Sequence, residues 1–361
     1  MNVLCITPFF SRTGSEINLL NLINAQSNNV NFTVYSSFSK GSLCSELDKN
    51  VNYYSHTNSL FNRISNKVLE IFSSSIYELQ LNRILKKHKI DVIYVNTIIN
   101  SHIIPFLRKT KIPFVIHVHE LESFYEIVSK DNFNFIVNQS KGVIVCSKQL
   151  EEKFAAISSN KVYYLPETFN SRNTNLLDNS QSKFDKFTWI CSGQKSYRKG
   201  FDLFPKIAKL LPEDDFIWLG GSANTGLDFM VEETIKSENL KNCKILGEQK
   251  DEYYSYFNKA HGFLLLSRED PYPLVMIEAA NFKLPVVGFK SGGFVEFCEM
   301  FSNTKCVEVG DLSDLVIKMK EVKGSHNLNF STYPDLVKSY DSKIVSESFI
   351  EILKSVVFQK K

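Results

Sequence analysis

The feature that most constrains the fold is a repeated pairing. A short run of apolar, largely β-branched or aromatic residues is followed by a longer stretch with apolar positions at helical spacing. In the first half the runs are Val3–Thr7, Phe32–Tyr35, Asp91–Asn96, Pro113–His119, Gly142–Ser147 and Lys161–Pro166. In the second they are Thr188–Gly193, Phe216–Gly221, Cys243–Gly247, Gly262–Leu266 and Pro285–Phe289. Between them, Ser15-Glu16 opens a helix whose Ile17, Leu19, Leu20, Leu22 and Ile23 recur on one face. Strands that are apolar throughout and alternate with helices belong to parallel, doubly wound sheets, so the fold class is α/β.

At 361 residues the chain exceeds a comfortable single core and suits two domains. The polar, Asn- and Ser-rich stretch from Asn170 to Ser182 is the best linker. This gives a first domain over 1–169, a linker over 170–186 and a second domain over 187–341. Apart from this architectural duplication there is no internal repeat.

Composition then removes whole classes of function. Hydrophobic content of 43% with 22% charged residues describes a globular chain, and a net charge of +3 gives no case for nucleic acid. Residues 1–170 hold 17 Lys plus Arg against 13 Asp plus Glu, and the remainder 25 against 26. The basic excess of the first part suits either an anionic membrane surface or scattered solvated lysines. Between Ser59 and Lys87, one helical face carries Leu60, Phe61, Ile64, Val68, Ile71 and Phe72, with Arg63 and Lys67 among its polar residues. That pattern fits a helix lying on a membrane as well as an ordinary packed helix.

Seven cysteines with no C-x-x-C pair argue against a disulfide framework or a zinc site. Cys5, Cys146 and Cys191 lie inside apolar runs and read as small core residues in a reducing compartment. With no charged leader and no apolar run of membrane-spanning length, the expected location is the cytoplasm, with peripheral contact at the inner membrane face as an option. The first strand is followed by Pro-Phe-Phe-Ser-Arg-Thr-Gly and not by Gly-x-Gly-x-x-Gly, which disfavours an NAD-dependent oxidoreductase.

The chemistry concentrates in Ser267–Glu296. Asp270 follows the Gly262–Leu266 strand, and Glu278 lies eight positions later in the helix that begins near Leu274 and Val275. Both carboxylates therefore fall near the carboxyl edge of a parallel sheet, where open α/β proteins bind ligands. Glu278 is the only charged residue between Asp270 and Lys283, flanked by Met276, Ile277, Ala279 and Ala280, and a carboxylate so placed needs a partner. The start of its helix offers free amides to phosphate. Ser291-Gly292-Gly293-Phe-Val-Glu296 follows the next strand, where the glycines permit close backbone approach. Upstream, Ser192-Gly193-Gln194-Lys195-Ser-Tyr-Arg198-Lys199-Gly200 joins a strand to a helix that Asp202 is expected to cap. In the first half, His117 and His119 stand two apart on a strand and so share a side, a spacing that suits a metal but lacks a clear third ligand.

An acidic residue, seven positions, Glu-Ala, a Pro-Val-Val strand and a Gly-Gly-x-x-Glu loop together resemble the donor site of the retaining family-4 glycosyltransferases of GT-B fold. The Glu-Asp-Pro-Tyr-Pro-Leu-Val form is similar to one subgroup, with Asp270 where Glu is usual and Gln194 where Arg is usual. The resemblance covers nearly the whole length and implies two Rossmann-like domains facing across a cleft, with a C-terminal helix (about 342–361) packing back on the first. It implies that Glu278 receives the donor ribose diol, that Asp270 lies near the transferred sugar, and that Lys199, with Arg198 or Lys195, faces the diphosphate. Gly193, Leu274, Val275, Gly292, Gly293 and Glu296 would complete the donor site, and Gly14, in a Thr-Gly-Ser-Glu loop, would approach from the first domain. His119, with His117 as the alternative, would stand near the anomeric centre. No metal and no cofactor are implied beyond the nucleoside diphosphate sugar as co-substrate. The expected activity is retaining hexosyl transfer to a glycan or lipid-linked glycan, in bacterial surface polysaccharide or lipopolysaccharide synthesis. Other GT-B chemistry, epimerase or phosphorylase-like, and a catalytically silent sugar-nucleotide-binding subunit are the alternatives.

Overall fold

The computed structural model describes residues 1–38, 40–56, 76–170, 182–221, 225–249, 252–325 and 328–358. The chain divides into two compact units, Met1–Thr168 with Ser342–Lys361, and Phe169–Asp341. Most of the expected linker, and the apolar face from Leu60 to Phe72, lie outside the described residues.

The first unit is built on β1 (Asn2–Thr7), β2 (Asn31–Ser36), β3 (Asn52–Ser55), β4 (Val92–Asn96), β5 (Phe114–Val118), β6 (Val143–Val145) and β7 (Val162–Tyr164). They form one parallel sheet in the order β3-β2-β1-β4-β5-β6-β7. The central strands are buried on both faces, which is why they read as unbroken apolar runs. Helix Gly14–Gln26 covers one face with Leu19, Leu20, Leu22 and Ile23. Helix Ser342–Val357, from the far end of the chain, packs beside it: Phe349 meets the Tyr94 ring edge-on at 5.1 Å, and Gln26 donates to Ser346 at 3.0 Å.

The second unit is built on β8 (Thr188–Ser192), β9 (Asp215–Leu219), β10 (Cys243–Ile245), β11 (Gly262–Leu265), β12 (Val286–Phe289) and β13 (Thr304–Val307), parallel in the order β10-β9-β8-β11-β12-β13. Its core is aromatic. Trp189 and Trp218 are buried with Phe201, Phe204 and Phe216, and the Trp218 ring meets Phe201 and Phe204 edge-on. Each unit is thus a parallel, doubly wound α/β sheet, as the sequence leads one to expect.

Two strands escape the sequence reading, β3 and β13. Both are edge strands, and Asn-Tyr-Tyr-Ser and Thr-Lys-Cys-Val need not be apolar on every side. Asp202 is a correction of another kind. It lies inside a short 3₁₀ turn (Phe201–Leu203) and caps nothing; its carboxylate instead takes both arms of Arg268, at 2.7 Å each.

Candidate active site

In the second unit the strand order sets β8 directly beside β11 and β11 beside β12, so the loops leaving these three strands gather at one sheet edge. There the Lys199 ammonium pairs with the Asp270 carboxylate. Ser267 Oγ donates to the same carboxylate at 3.4 Å, and the Asp270 amide donates to Ser291 Oγ at 2.7 Å. Arg198 Nη1 lies 4.0 Å from Asp270 Oδ2 and donates to the Glu269 carbonyl at 2.8 Å. Lys195 goes elsewhere. Its ammonium sits 3.8 Å from Asp228 and over the Phe201 ring, so of the two candidate partners for Lys199 the structure brings only Arg198 to Asp270.

Arg268 holds this loop in shape. Besides its fork on Asp202 it donates to the Tyr197 carbonyl at 2.6 Å and stacks on the Tyr197 ring at 3.8 Å. A bidentate guanidinium–carboxylate pair fixes geometry as well as charge. Arg268 thereby orders the segment that delivers Arg198 and Lys199.

Helix Leu274–Asn281 starts directly after Pro273, which places Leu274 and Val275 at its open N-terminus, both partly exposed. One turn on, the Glu278 carboxylate accepts from Tyr253 at 2.9 Å and Tyr254 at 3.0 Å, and Tyr253 also reaches Ser192 at 2.8 Å. Burial raises the Glu278 pKa above its ordinary value, with the two phenols working the other way. An ionised carboxylate has about four acceptor positions. Two phenols leave room for a further pair of donors.

The Gly-Gly loop does something the sequence does not disclose. Gly292 has φ +50°, and a Cβ there would stand 2.0 Å from the Asp270 carbonyl; a Cβ on Gly293 would meet the Tyr272 ring at the same distance. The space freed by these glycines is occupied by the Asp270–Tyr272 loop itself, fastened by Gly293 N–H to the Pro271 carbonyl at 2.7 Å. Glu296 is buried in the first turn of helix Phe294–Met300. Gly193 carries a positive φ and accepts from the Trp218 indole at 3.0 Å.

In the first unit a second polar cluster forms where β5, β6 and β7 end. His119 Nδ1 meets Glu167 Oε1 at 2.9 Å, both side chains being about one-twentieth exposed (6% and 5%). The His119 amide donates to Glu120 at 2.9 Å, and the Ile98 amide to the same oxygen at 3.3 Å. Burial works to lower the His119 pKa, but Glu167, with Glu120 and Glu16 behind it, outweighs burial and the net direction is up. His117 is different. Its Nδ1 is 2.6 Å from the Tyr94 hydroxyl, its ring lies 3.9 Å from that of His119, and burial holds its pKa well below the ordinary value. Gly14 opens helix Gly14–Gln26 at an exposed position, while Glu16 below it accepts from Thr13, Ser15 and Thr7. Glu16, Glu120, Glu167, Arg268, Tyr253 and Tyr254 are members of these clusters that the motifs do not single out. The clearest signal was Glu120, directly after His119.

Each half of the chain matches a known family model. Residues 12–169 match the family model "Glycosyltransferase Family 4", and residues 173–330 match "Glycosyl transferases group 1". The alpha-galactosylglucosyldiacylglycerol synthase of Streptococcus pneumoniae is 29% identical over 177 residues, 45% of this chain and 46% of that protein. The match thus spans about half of that relative's length. Among solved structures, sucrose-phosphate synthase from Thermosynechococcus elongatus superposes with a TM-score of 0.79 at 14% identity, covering 98% of each chain. Anabaena HepE in complex with UDP-glucose gives 0.75 at 17% identity, over 98% of this chain and 100% of that one. At such identities these likenesses speak for the fold.

Proposed function

Because this chain joins a Glycosyltransferase Family 4 domain to a Glycosyl transferases group 1 domain, we propose that it is a retaining, metal-independent hexosyltransferase. It moves a sugar from a nucleoside diphosphate sugar to a hydroxyl of a glycan or lipid-linked glycan. The observation that carries this reading is the pairing, at one sheet edge, of a cation–carboxylate couple (Lys199–Asp270) with a second carboxylate that retains acceptor capacity (Glu278).

In this reading Glu278 takes the ribose diol, and the open amides at Leu274 and Val275, with Lys199 and Arg198, take the diphosphate. As the bond from the anomeric carbon to the diphosphate oxygen breaks, negative charge grows on the leaving group beside these cations. The acceptor oxygen bonds to the same face of the anomeric carbon and its proton passes to a leaving-phosphate oxygen. Asp270, already bound by Lys199 and Ser267, orients the sugar and does not attack it. The His119–Glu167 pair of the first unit serves the acceptor side of the reaction.

A glycolipid or other lipid-linked acceptor is the preferred class, given the partial relationship to a glycolipid synthase. Among the described residues no helix is long and apolar enough to cross a membrane. In this reading the enzyme meets such an acceptor peripherally, at the cytoplasmic membrane face.

A thermal-shift screen of UDP-, GDP-, dTDP- and ADP-sugars tests the reading, because a ligand that binds only the folded state raises Tm. At least one donor raises Tm and is turned over with glycan or glycolipid acceptors. Binding without turnover of any donor, unaffected by Glu278→Ala, would point to a non-catalytic sugar-nucleotide-binding subunit.

A further inference from the structure

We propose that His119, Cys146 and Glu167 form a site for a zinc-class transition-metal ion at the carboxyl edge of the first unit's sheet. The three residues each follow the end of one of three neighbouring strands, β5, β6 and β7. The parallel register pairs Val118 with Val145 and Val145 with Tyr164, so the residues just beyond these strand ends come out side by side. Their donor atoms all lie within 4.8 Å of one another. His117 is not part of the set, its Nδ1 being taken by Tyr94; Cys146 and Glu167 stand far from His119 along the chain and adjacent to it only through the sheet.

The donor set selects the metal. A thiolate, an imidazole and a carboxylate suit Zn2+ and Co2+, whereas Mg2+ and Ca2+ prefer oxygen alone. On binding, the sulfur–metal bond forms as the Cys146 thiol proton leaves to solvent, and one thiolate with one carboxylate balances the divalent charge. Three protein ligands leave a fourth position for water or a substrate oxygen. An independent observation also points to a missing partner. His119 presents Nδ1 to Glu167 at 2.9 Å, and Glu167 Oε2 is buried with no hydrogen-bond partner among the described residues. Buried polar atoms are ordinarily satisfied.

An ion held here engages His119 and withdraws it from the acceptor, so zinc acts as a reversible inhibitor. This consequence rests on the proposed role of His119; the binding itself does not.

The test is titration of the full chain with Co2+, read by absorption. Thiolate ligation gives a near-ultraviolet charge-transfer band that saturates at one ion per chain and is displaced by Zn2+. Cys146→Ser, checked for folding by circular dichroism, loses the band. Glu167→Gln keeps the band, and its Zn2+ affinity falls at least tenfold, since even outer partners of a metal are worth about 10–100-fold. Absence of a band with the unaltered chain, or an unchanged band in Cys146→Ser, would overturn the site. In sugar-transfer assays Cys146→Ser keeps its metal-free rate and is no longer inhibited by Zn2+. Saturated Co2+ binding with undiminished transfer would overturn the inhibitory consequence alone.

Discussion

The Tyr253 hydroxyl bridges Ser192, at the end of β8, to Glu278, four residues into the helix after β11, at 2.8 and 2.9 Å. One phenol thus ties the end of β8 to the carboxylate assigned to the donor ribose. Tyr254 completes the fork at 3.0 Å. The carboxylate is held in a fixed orientation before any ligand arrives, which is the preorganisation a binding group needs.

Removing either phenol frees Glu278 to rotate. Tyr253→Phe or Tyr254→Phe is expected to raise the donor KM roughly three- to tenfold, about 0.7–1.4 kcal/mol, with kcat changed less than twofold. Steady-state kinetics with a fixed acceptor checks this. An effect on kcat alone would mean the tyrosines act on the chemical step.

Burial raises the Glu278 pKa above its ordinary 4.5, so the folded state keeps this proton after the unfolded chain has lost it. The sign follows. The Glu278 contribution to stability falls as pH rises from the ordinary value through the folded one, whereas donor affinity, which needs the ionised carboxylate, rises over the same window. Urea unfolding and donor titration across this range should therefore move in opposite directions in the native protein. Glu278→Gln, which cannot ionise, should remove this contribution from both.

Gly292 is required by packing as well as by conformation. Gly292→Ala places a Cβ against the Asp270 and Pro271 carbonyls at a φ of +50°, and the backbone term alone costs roughly 1–3 kcal/mol. A lower Tm and a weaker donor response in the same variant are expected. Gly226→Ala, where an added Cβ meets nothing within 4 Å, is the control and should leave Tm unchanged or slightly higher.

How far the sequence reveals this site depends on distance along the chain. Glu278 is legible as a lone charge among apolar neighbours and Asp270 by its place at a strand end, whereas Lys199 is singled out only by the resemblance. Their partners are not legible. Tyr253-Tyr-Ser-Tyr-Phe257 lies in the helix Tyr253–Lys259, and nothing local says that two of its hydroxyls turn toward Glu278. Lys195 is closer to Lys199 in sequence than most of the site, yet the turn sends it to Asp228. Cys146 sits in a run so apolar that a core role is the natural reading, and only the sheet register sets it beside His119. The central strands announce themselves because both faces are covered. The strands β3 and β13 do not, because Asn-Tyr-Tyr-Ser and Thr-Lys-Cys-Val are only partly covered and mix polar with apolar residues.

The central claim is that Lys199, Asp270 and Glu278 hold a nucleoside diphosphate sugar for transfer. The most direct measurement is nucleoside diphosphate release with the donor identified by thermal shift, in the native chain and in Lys199→Ala and Glu278→Ala, each verified as folded. The account predicts that Lys199→Ala lowers kcat at least a hundredfold through the lost charge on the leaving group, and that Glu278→Ala acts mainly on donor KM. Native-like release in both variants would contradict it.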